Sequence, residues 1–474
     1  MKKQLIYVVV ASALLSSCNL YKTYKRPEDI KVDGLFRDTA SAVISAGMTD
    51  AYTDTTTIAS LPWREVFTDP QLQILIEQGL VNNTDLQSAQ LSVKQAEASL
   101  MASKLAFLPS FAFAPQGTIS SFDNAKATKT YQIPITASWQ IDIFGDLLNA
   151  KRGAKADLLQ SKAYKQAVQT QLIATIANYY YTLLMLDEQL TITQETELKW
   201  KENVETMKAM KDAGMTNEAA VSQSEASYYS VKASIPELKQ SIRETENSLC
   251  VLLGQAPQAI SRGTLAEQRL PEYVMAGVPL QLLANRPDIK AAEMTLASAF
   301  YATNRARSAF YPLINLTGTL GWTNSGGAAI TNPGKFLATV IGSLTQPLFQ
   351  NGALRAQLKI SKAQQEQAKL SFQQALLNAG NEVSNALYQY QANLEKEQSR
   401  HLQVAALEKS VSYTTDLFQS GTEGTSYLEI ITAEQSLLSA RLNEVSDSFY
   451  KIQAVVNLYQ ALGGGQEDET ENNE

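Results

Sequence analysis

Two cysteines and one histidine in 474 residues leave little room for catalytic or metal chemistry. His401, alone and on a polar helical stretch, permits no His-based triad and no multi-His metal site, and no GxxxxGK[ST] phosphate loop occurs. Glu218 and Glu225 lie near one another on a helix face, a common pattern on solvated surfaces. The reading is a protein that is not an enzyme, with no cofactor and no metal. Cys18 falls in the leader region and Cys250 stands between Leu249 and Leu252 on an apolar helical ladder, so no disulfide framework is available. Basic runs are missing too: 40 Lys+Arg against 47 Asp+Glu give a net charge of -7, with no five basic residues in a row, which speaks against nucleic acid as a partner. After the first residues there is no apolar run of the roughly 18 residues that a spanning helix requires.

What is present starts with a leader. Lys2 and Lys3 precede an apolar stretch from Leu5 to Leu15, followed by Ser16, Ser17 and Cys18. That is a short secretory signal over 1–17 rather than a membrane-spanning helix. Leu15-Ser16-Ser17-Cys18 resembles a bacterial lipobox, in which the cysteine becomes the acylated first residue; an ordinary signal with a chance cysteine is the alternative. Asn19 stands where an Asp would often signal retention at the inner membrane, so the outer membrane of a Gram-negative cell is favoured. Several acyl chains, at roughly 0.8 kcal/mol per buried CH2, make such anchoring stable. Residues 18–60 read as a lipidated tether without sustained period.

The chain beyond is written twice. Val221, Ser224, Tyr228, Val231, Ile235, Leu238, Ile242, Thr245, Leu249 and Leu252 step by three and four. Adding 207 reaches Leu428, Ile431, Gln435, Leu438, Leu442, Val445, Phe449, Ile452, Val456 and Tyr459. The spacing predicts two long helices in one register, introduced by Gly214 and Gly421, and two repeats over 61–265 and 266–462. Each repeat carries a pair of long helices, 146–254 and 352–462. The leading helix of each pair covers about 67 residues, roughly 100 Å at 1.5 Å per residue. In the first, Val168, Leu172, Ile176, Tyr179, Leu183, Leu186 and Leu190 form an apolar stripe; its period near 3.5 implies supercoiling against neighbours. Tyr179, Tyr180 and Tyr181 read as helix-packing residues, and Pro236 predicts a kink. The tail 463–474 reads as disordered.

Ahead of each helix pair the period changes to two. Tyr131, Ile133, Ile135, Ala137, Trp139, Ile141 and Ile143 alternate with polar residues and Pro134. A more irregular strand precedes them over about 107–122, giving a hairpin over 107–144. Ile314, Leu316, Gly318, Leu320 and Trp322 alternate likewise, and with a weaker strand over about 336–348 they make a second hairpin over 310–349. Such strands exceed the roughly 9–11 residues that cross a bilayer when tilted. Open sheet edges are not tolerated in lipid, and single-chain barrels need at least about eight strands. Four strands must therefore be pooled with other copies: two copies leave a filled interior, three leave room for a lumen. A water-exposed hairpin packed on helices would show the same alternation.

Pro62-Trp63 with Phe67, Asp69-Pro70 and Leu72; Asn83 with Asp85-Leu86; Trp139 with Ile141-Asp142 and Phe144-Gly145; Ile235-Pro236 with Leu252-Leu253-Gly254; and Arg286-Pro287-Asp288-Ile289 with Ala292-Glu293 are together similar to the outer-membrane efflux protein family of TolC and OprM. The resemblance is to its lipoprotein NodT-type branch, and Cys18 with Tyr24 and Arg26-Pro27 resembles the start of those mature lipoproteins. It implies a mainly α chain with a transmembrane β-barrel: a homotrimer whose twelve strands close in the outer membrane above a twelve-helix α-barrel. It implies an exit duct for a tripartite small-molecule pump, with a periplasmic adaptor and an inner-membrane pump of the RND type. The exit duct of a protein-secretion system and a lipid-tethered periplasmic coiled-coil scaffold stay open as alternatives.

A duct needs docking surfaces and a gate. The helix turns at Gly214, Met215 and Thr216 and at Gly421, Thr422, Glu423 and Gly424 are, by the resemblance, the parts that meet the adaptor. Leu428-Glu429-Ile430-Ile431-Thr432-Ala433 resembles the segment whose acidic side chains ring the periplasmic aperture. There Glu429 supplies one carboxylate, a solvated helix residue being the open alternative, while Thr432 departs from the Asp often found at its place. The residue 207 before Glu429 is Ser222, so such a gate belongs to the second copy. For Arg286-Pro287-Asp288 the reading is structural, a proline and a carboxylate at a helix start.

Overall fold

The computed structural model describes residues 22–27, 30, 61–123, 125–269, 286–324, 334–420 and 427–465. A single turn, α1 (Trp63–Val66), precedes α2 (Pro70–Asn82) and α3 (Thr84–Leu105). The first strands are β1 (Ser110–Phe113), β2 (Gln116–Ser120) and β3 (Thr128–Ile141). The helix pair α4 (Asp146–Asp212) and α5 (Glu218–Leu252) completes the first repeat. In the second, α6 (Pro287–Ser308), β4 (Leu313–Thr323) and β5 (Lys335–Thr345) lead to α7 (Ala353–Gln419) and α8 (Tyr427–Ala461).

The equivalent helices have equal lengths. α3 and α6 hold 22 residues each, α4 and α7 hold 67, and α5 and α8 hold 35. The offset between them is not constant: 203 from Thr84 to Pro287, 207 from Asp146 to Ala353, and 209 from Glu218 to Tyr427. Backbone hydrogen bonds step the same way. Leu108 N–H donates to Leu105 O as Tyr311 does to Ser308, Asn149 to Gly145 as Ala356 to Gly352, and Gln255 to Cys250 as Gly464 to Tyr459. The second hairpin is thus four residues longer and the second helix turn two longer. This corrects the register of the ladder. Val221 is buried, whereas Leu428, 207 residues on, is exposed; Ile430, 209 on, is the buried counterpart. Glu429 then corresponds to Ala220, which also lacks a carboxylate.

One compact unit holds the sheet with the adjoining helix segments 90–164 and 288–375. Its strands run β1-β3-β4-β5, all antiparallel, with β2 also paired to β3. The break in the expected strand over 107–122 has a local cause. Pro115 separates β1 from β2 one residue past the level of Pro134, and neither ring nitrogen can donate to a ladder. β4 accommodates Pro134 by placing Gly321 opposite it, where an added Cβ would lie 2.8 Å from Pro134 Cα. The helix starts here follow glycines: Gly145 and Gly352 have φ of +73° and +82°. Phe144 stacks on Tyr311 with centroids 4.9 Å apart, and Thr303 Oγ1 donates to Ser361 O across α6 and α7.

The other unit holds residues 61–89, 165–269, 286–287 and 376–465 of the described chain. Asp69 caps α2, with Pro70 at its first position, and accepts from Tyr180 Oη at 2.6 Å and Gln268 Nε2 at 2.8 Å. Burial pushes this carboxyl up, and the donated hydrogen bonds outweigh it, so its pKa falls below the ordinary value. Tyr180 and Tyr181 are buried, in keeping with a packing role. Arg262 bridges Asp187 of α4 and Glu246 of α5. Arg286 is buried and donates to Ala461 O at 2.6 Å and to Glu382. α5 runs unbroken through Pro236. Gly463, Gly464 and Gly465, expected in a disordered tail, instead close α8 and pack on α4, where Thr170 Oγ1 donates to Gly464 O at 2.7 Å. The rest of that tail lies outside the described residues.

Candidate functional site

The sheet has two chemically opposite faces. In an antiparallel ladder, directly paired residues point to the same side. The pairs Ile133–Trp322, Ile135–Leu320, Trp139–Leu316 and Ile141–Ile314 put large apolar side chains on one face. Phe111 and Phe113 of β1 extend it, as do Phe336, Val340 and Leu344 of β5. Thr136–Thr319, Ser138–Thr317 and Gln140–Asn315 line the other. Among the described residues, Leu313 at the start of β4 and Leu337 and Ile341 of β5 set large apolar groups on that polar side. The apolar face is bare: Phe111 is 72% exposed, Val340 80% and Trp322 46%. The outermost strands, β1 with β2 and β5, pair on one side only among the described residues.

At the first helix turn, Gly214 has φ of +76°, a conformation that disfavours any side chain. Gly214 N–H donates to Lys211 O and Met215 N–H to Met210 O, which ends α4 with its last carbonyls satisfied. Asn217 Oδ1 then accepts from Ala220 N at 3.1 Å and starts α5. Met215 is 72% exposed, and Thr216 is half-buried beside it. Gly421, Thr422, Glu423 and Gly424 lie outside the described residues, as does Cys18.

Glu429 and Thr432 are both exposed near the start of α8. The Thr432 hydroxyl donates to Leu428 O at 2.8 Å, so it is engaged within its own helix. Between them Ile430 and Ile431 turn inward, and Ile431 joins Trp200 of α4 and Val231 of α5 in a core flanked by Tyr228, Tyr427 and Leu438. Polar groups stitch the same level. Tyr427 Oη lies 3.3 Å from Ser224 Oγ, and Gln435 Nε2 donates to Ser227 Oγ at 3.0 Å. Asn203 Nδ2 donates to both Glu434 oxygens, at 3.3 and 3.0 Å. Burial raises the Glu434 pKa, with the Asn203 hydrogen bond and the charge of Lys199 pulling the other way. Sequence reasoning missed Glu434. Its signal was a carboxylate three residues after Ile431 and four before Leu438, on the buried stripe itself.

Farther along α8, Asp447 is 2% exposed and held by Lys396 at 2.5 Å and Arg400 at 2.9 Å, both from α7. At the positions of α4 equivalent to those two cations stand Gln189 and Thr193, so the first repeat uses neutral groups there. Glu218 and Glu225 pair with Lys211 and Lys208 of α4, both at 2.6 Å, which makes them surface ion pairs between helices.

An exposed apolar sheet joined to duplicated long helices is the layout of an outer-membrane channel subunit. Residues 75–255 and 278–464 match the model of the outer membrane efflux protein family, and the chain belongs to that family. The cation efflux system protein CusC of Escherichia coli is 28% identical over 458 residues, covering 95% of this chain and 97% of that protein. A probable outer membrane lipoprotein of Salmonella typhimurium, SilC, is 27% identical over 410 residues, covering 85% and 88%. The solved structure of the outer-membrane channel OprN superposes with a TM-score of 0.83 at 25% identity, covering 94% of this chain and 99% of that one.

Proposed function

We propose that three copies of this chain pool their sheets into one closed twelve-stranded barrel, apolar face to lipid and polar face to a lumen. With its twelve-helix wall, this is the exit duct through which a periplasmic adaptor and an inner-membrane pump of the RND type expel small solutes. The single observation that carries the reading is the sheet: a bare apolar face combined with outer strands, β1 with β2 and β5, that have no second neighbour among the described residues. Unpaired backbone groups in hydrocarbon cost several kcal/mol each, so a sheet with that face and those edges in lipid favours closure by further copies. A polar inner face of Thr, Ser, Gln and Asn suits passive passage of water-soluble cargo. The relative named for cation efflux supports small solutes as that cargo.

Within this duct, acylated Cys18 anchors the chain, and the turns at 214–216 and 421–424 meet the adaptor. Glu429, one carboxylate per copy, lines the periplasmic aperture beside Thr432. Three such carboxylates favour cations, and protonation weakens that preference. Closure is tested by a disulfide scan that pairs Ser110→Cys on β1 with single cysteines along β5. Oxidation in membranes is expected to give covalent dimers and trimers at one register of β5. Monomers at every register contradict the reading.

A further inference from the structure

We propose that the helix ends adjoining the sheet form a basic collar that binds the headgroups of anionic phospholipids in the membrane leaflet facing the periplasm. The inference rests on the reading of the sheet as embedded in lipid. The four helix–strand junctions lie at one edge of the sheet. Ile141 at the end of β3 pairs with Ile314 near the start of β4, and Leu313 pairs with Thr345 at the end of β5. β1 starts beside them, Ser110 opposite Ser138.

Charge at this edge runs against the rest of the chain. Residues 95–105, 142–156, 298–308 and 346–363 hold nine basic and three acidic side chains, a surplus of six in a chain whose net charge is -7. The carboxylates are partly engaged already: Asp142 Oδ2 accepts from Leu148 N at 2.7 Å and Asp146 pairs with Arg305 at 3.2 Å. Lys104, Lys151, Lys155, Arg355, Lys359 and Lys362 are all exposed.

The level of these cations matches a headgroup layer. Aromatic groups mark the junction itself: Trp139 Nε1–H donates to Phe107 O at 2.9 Å, and Phe144 stacks on Tyr311. Such rings concentrate where hydrocarbon meets water. Lys151 Nζ sits 5.8 Å from the centroid of Phe107. From Arg355 to Lys362 the cations stand about 3 to 14 Å beyond the start of α7. A headgroup region is about 5–8 Å deep, and long basic side chains reach back toward it. Continuity with the bare apolar face selects a lipid surface over a soluble acidic protein.

The test uses the full-length protein in detergent, diluted into phosphatidylcholine vesicles with or without phosphatidylglycerol, with insertion read by protease protection of the strands. Insertion is expected to be at least about tenfold faster on the anionic vesicles, with the difference collapsing at high salt. The variant Lys151→Gln/Arg355→Gln/Lys359→Gln/Lys362→Gln is expected to lose the preference. A charge-matched control, Lys201→Gln/Lys239→Gln/Lys290→Gln/Lys409→Gln, is expected to keep it. Equal rates of wild-type insertion on both vesicle types overturn the collar and leave the embedded sheet standing. A quadruple variant that inserts with the full preference also overturns it. Failure to insert into either vesicle removes the embedded sheet, and the collar with it. Because the wild-type salt dependence is read independently, a poorly folding variant does not protect the proposal.

Discussion

The two repeats agree in their helices and differ in what joins them. Lengths of 22, 67 and 35 residues are kept to the residue, while the second hairpin gains four residues and the second helix turn gains two. Helices that serve as staves of one wall must match in length, whereas a connector can lengthen at an entropic cost that rises only slowly with its length. The interiors differ as well. The second pair sets a buried carboxylate, Asp447, between two cations where the first has neutral groups. Glu434 is half-buried on α8 with Asn203 as its partner. Apart from the longer second hairpin, the asymmetry lies in α8 and its approach, the part of the chain that carries the proposed aperture.

The predictions probe that asymmetry, the largest effect first. Ile176 and its counterpart Val383 are both fully buried. Ile176→Ala is expected to cost about 2–5 kcal/mol in denaturant unfolding in detergent, with Val383→Ala smaller for its smaller side chain. At this matched level of the two helices the losses should scale with the volume removed. Gly463→Ala and Gly214→Ala both force a side chain into a left-handed conformation, about 1–2 kcal/mol each. Gly463→Ala is expected to exceed Gly214→Ala, because its Cβ would lie 3.1 Å from Arg286 Cα while Gly214 faces open space; melting temperatures check the order.

Asp447→Ala is expected to cost about 1–3 kcal/mol, toward the lower end because Lys396 is 46% exposed and can turn to water. Glu434 gives a pH signature. Its folded pKa is raised by burial, so the folded state holds the proton more tightly than the unfolded one. Its contribution is greatest below the ordinary carboxylate value and is lost as pH rises through the raised value. Melting curves from acidic to neutral pH should show this decline in the wild type and a weaker one in Glu434→Gln. The smallest effect is expected for Glu429→Gln, which leaves stability unchanged because the side chain is exposed; it should lower cation preference in planar-bilayer conductance.

Much of this fold was legible in the sequence. The 67-residue helices could be bounded to about a residue because a glycine stands before each and the apolar period holds throughout. The central strands were legible through alternation. The first strand was not, since Pro115 and Pro134 remove donors at adjacent levels of the ladder, and no pattern of apolar residues reveals that. The repeat register slipped by two after the second turn for a related reason. The buried side of α8 is broad, with Ile430 and Ile431 both inside and Val455, Val456, Leu458 and Tyr459 all inside. A ladder shifted by two residues on so wide a stripe still lands on apolar positions. Of the proposed site, Glu429 rests on its motif alone, whereas Glu434 needed the packing of α4 against α8 to stand out. The basic edge of the sheet needed the strand pairing, because its residues come from four separate segments of chain.

The central claim is that one chain supplies a third of a closed wall. Native mass spectrometry of the full-length protein, released from lipid nanodiscs after insertion, tests it most directly. A single membrane-derived species of three chains is expected. A membrane-inserted species of one or two chains contradicts it.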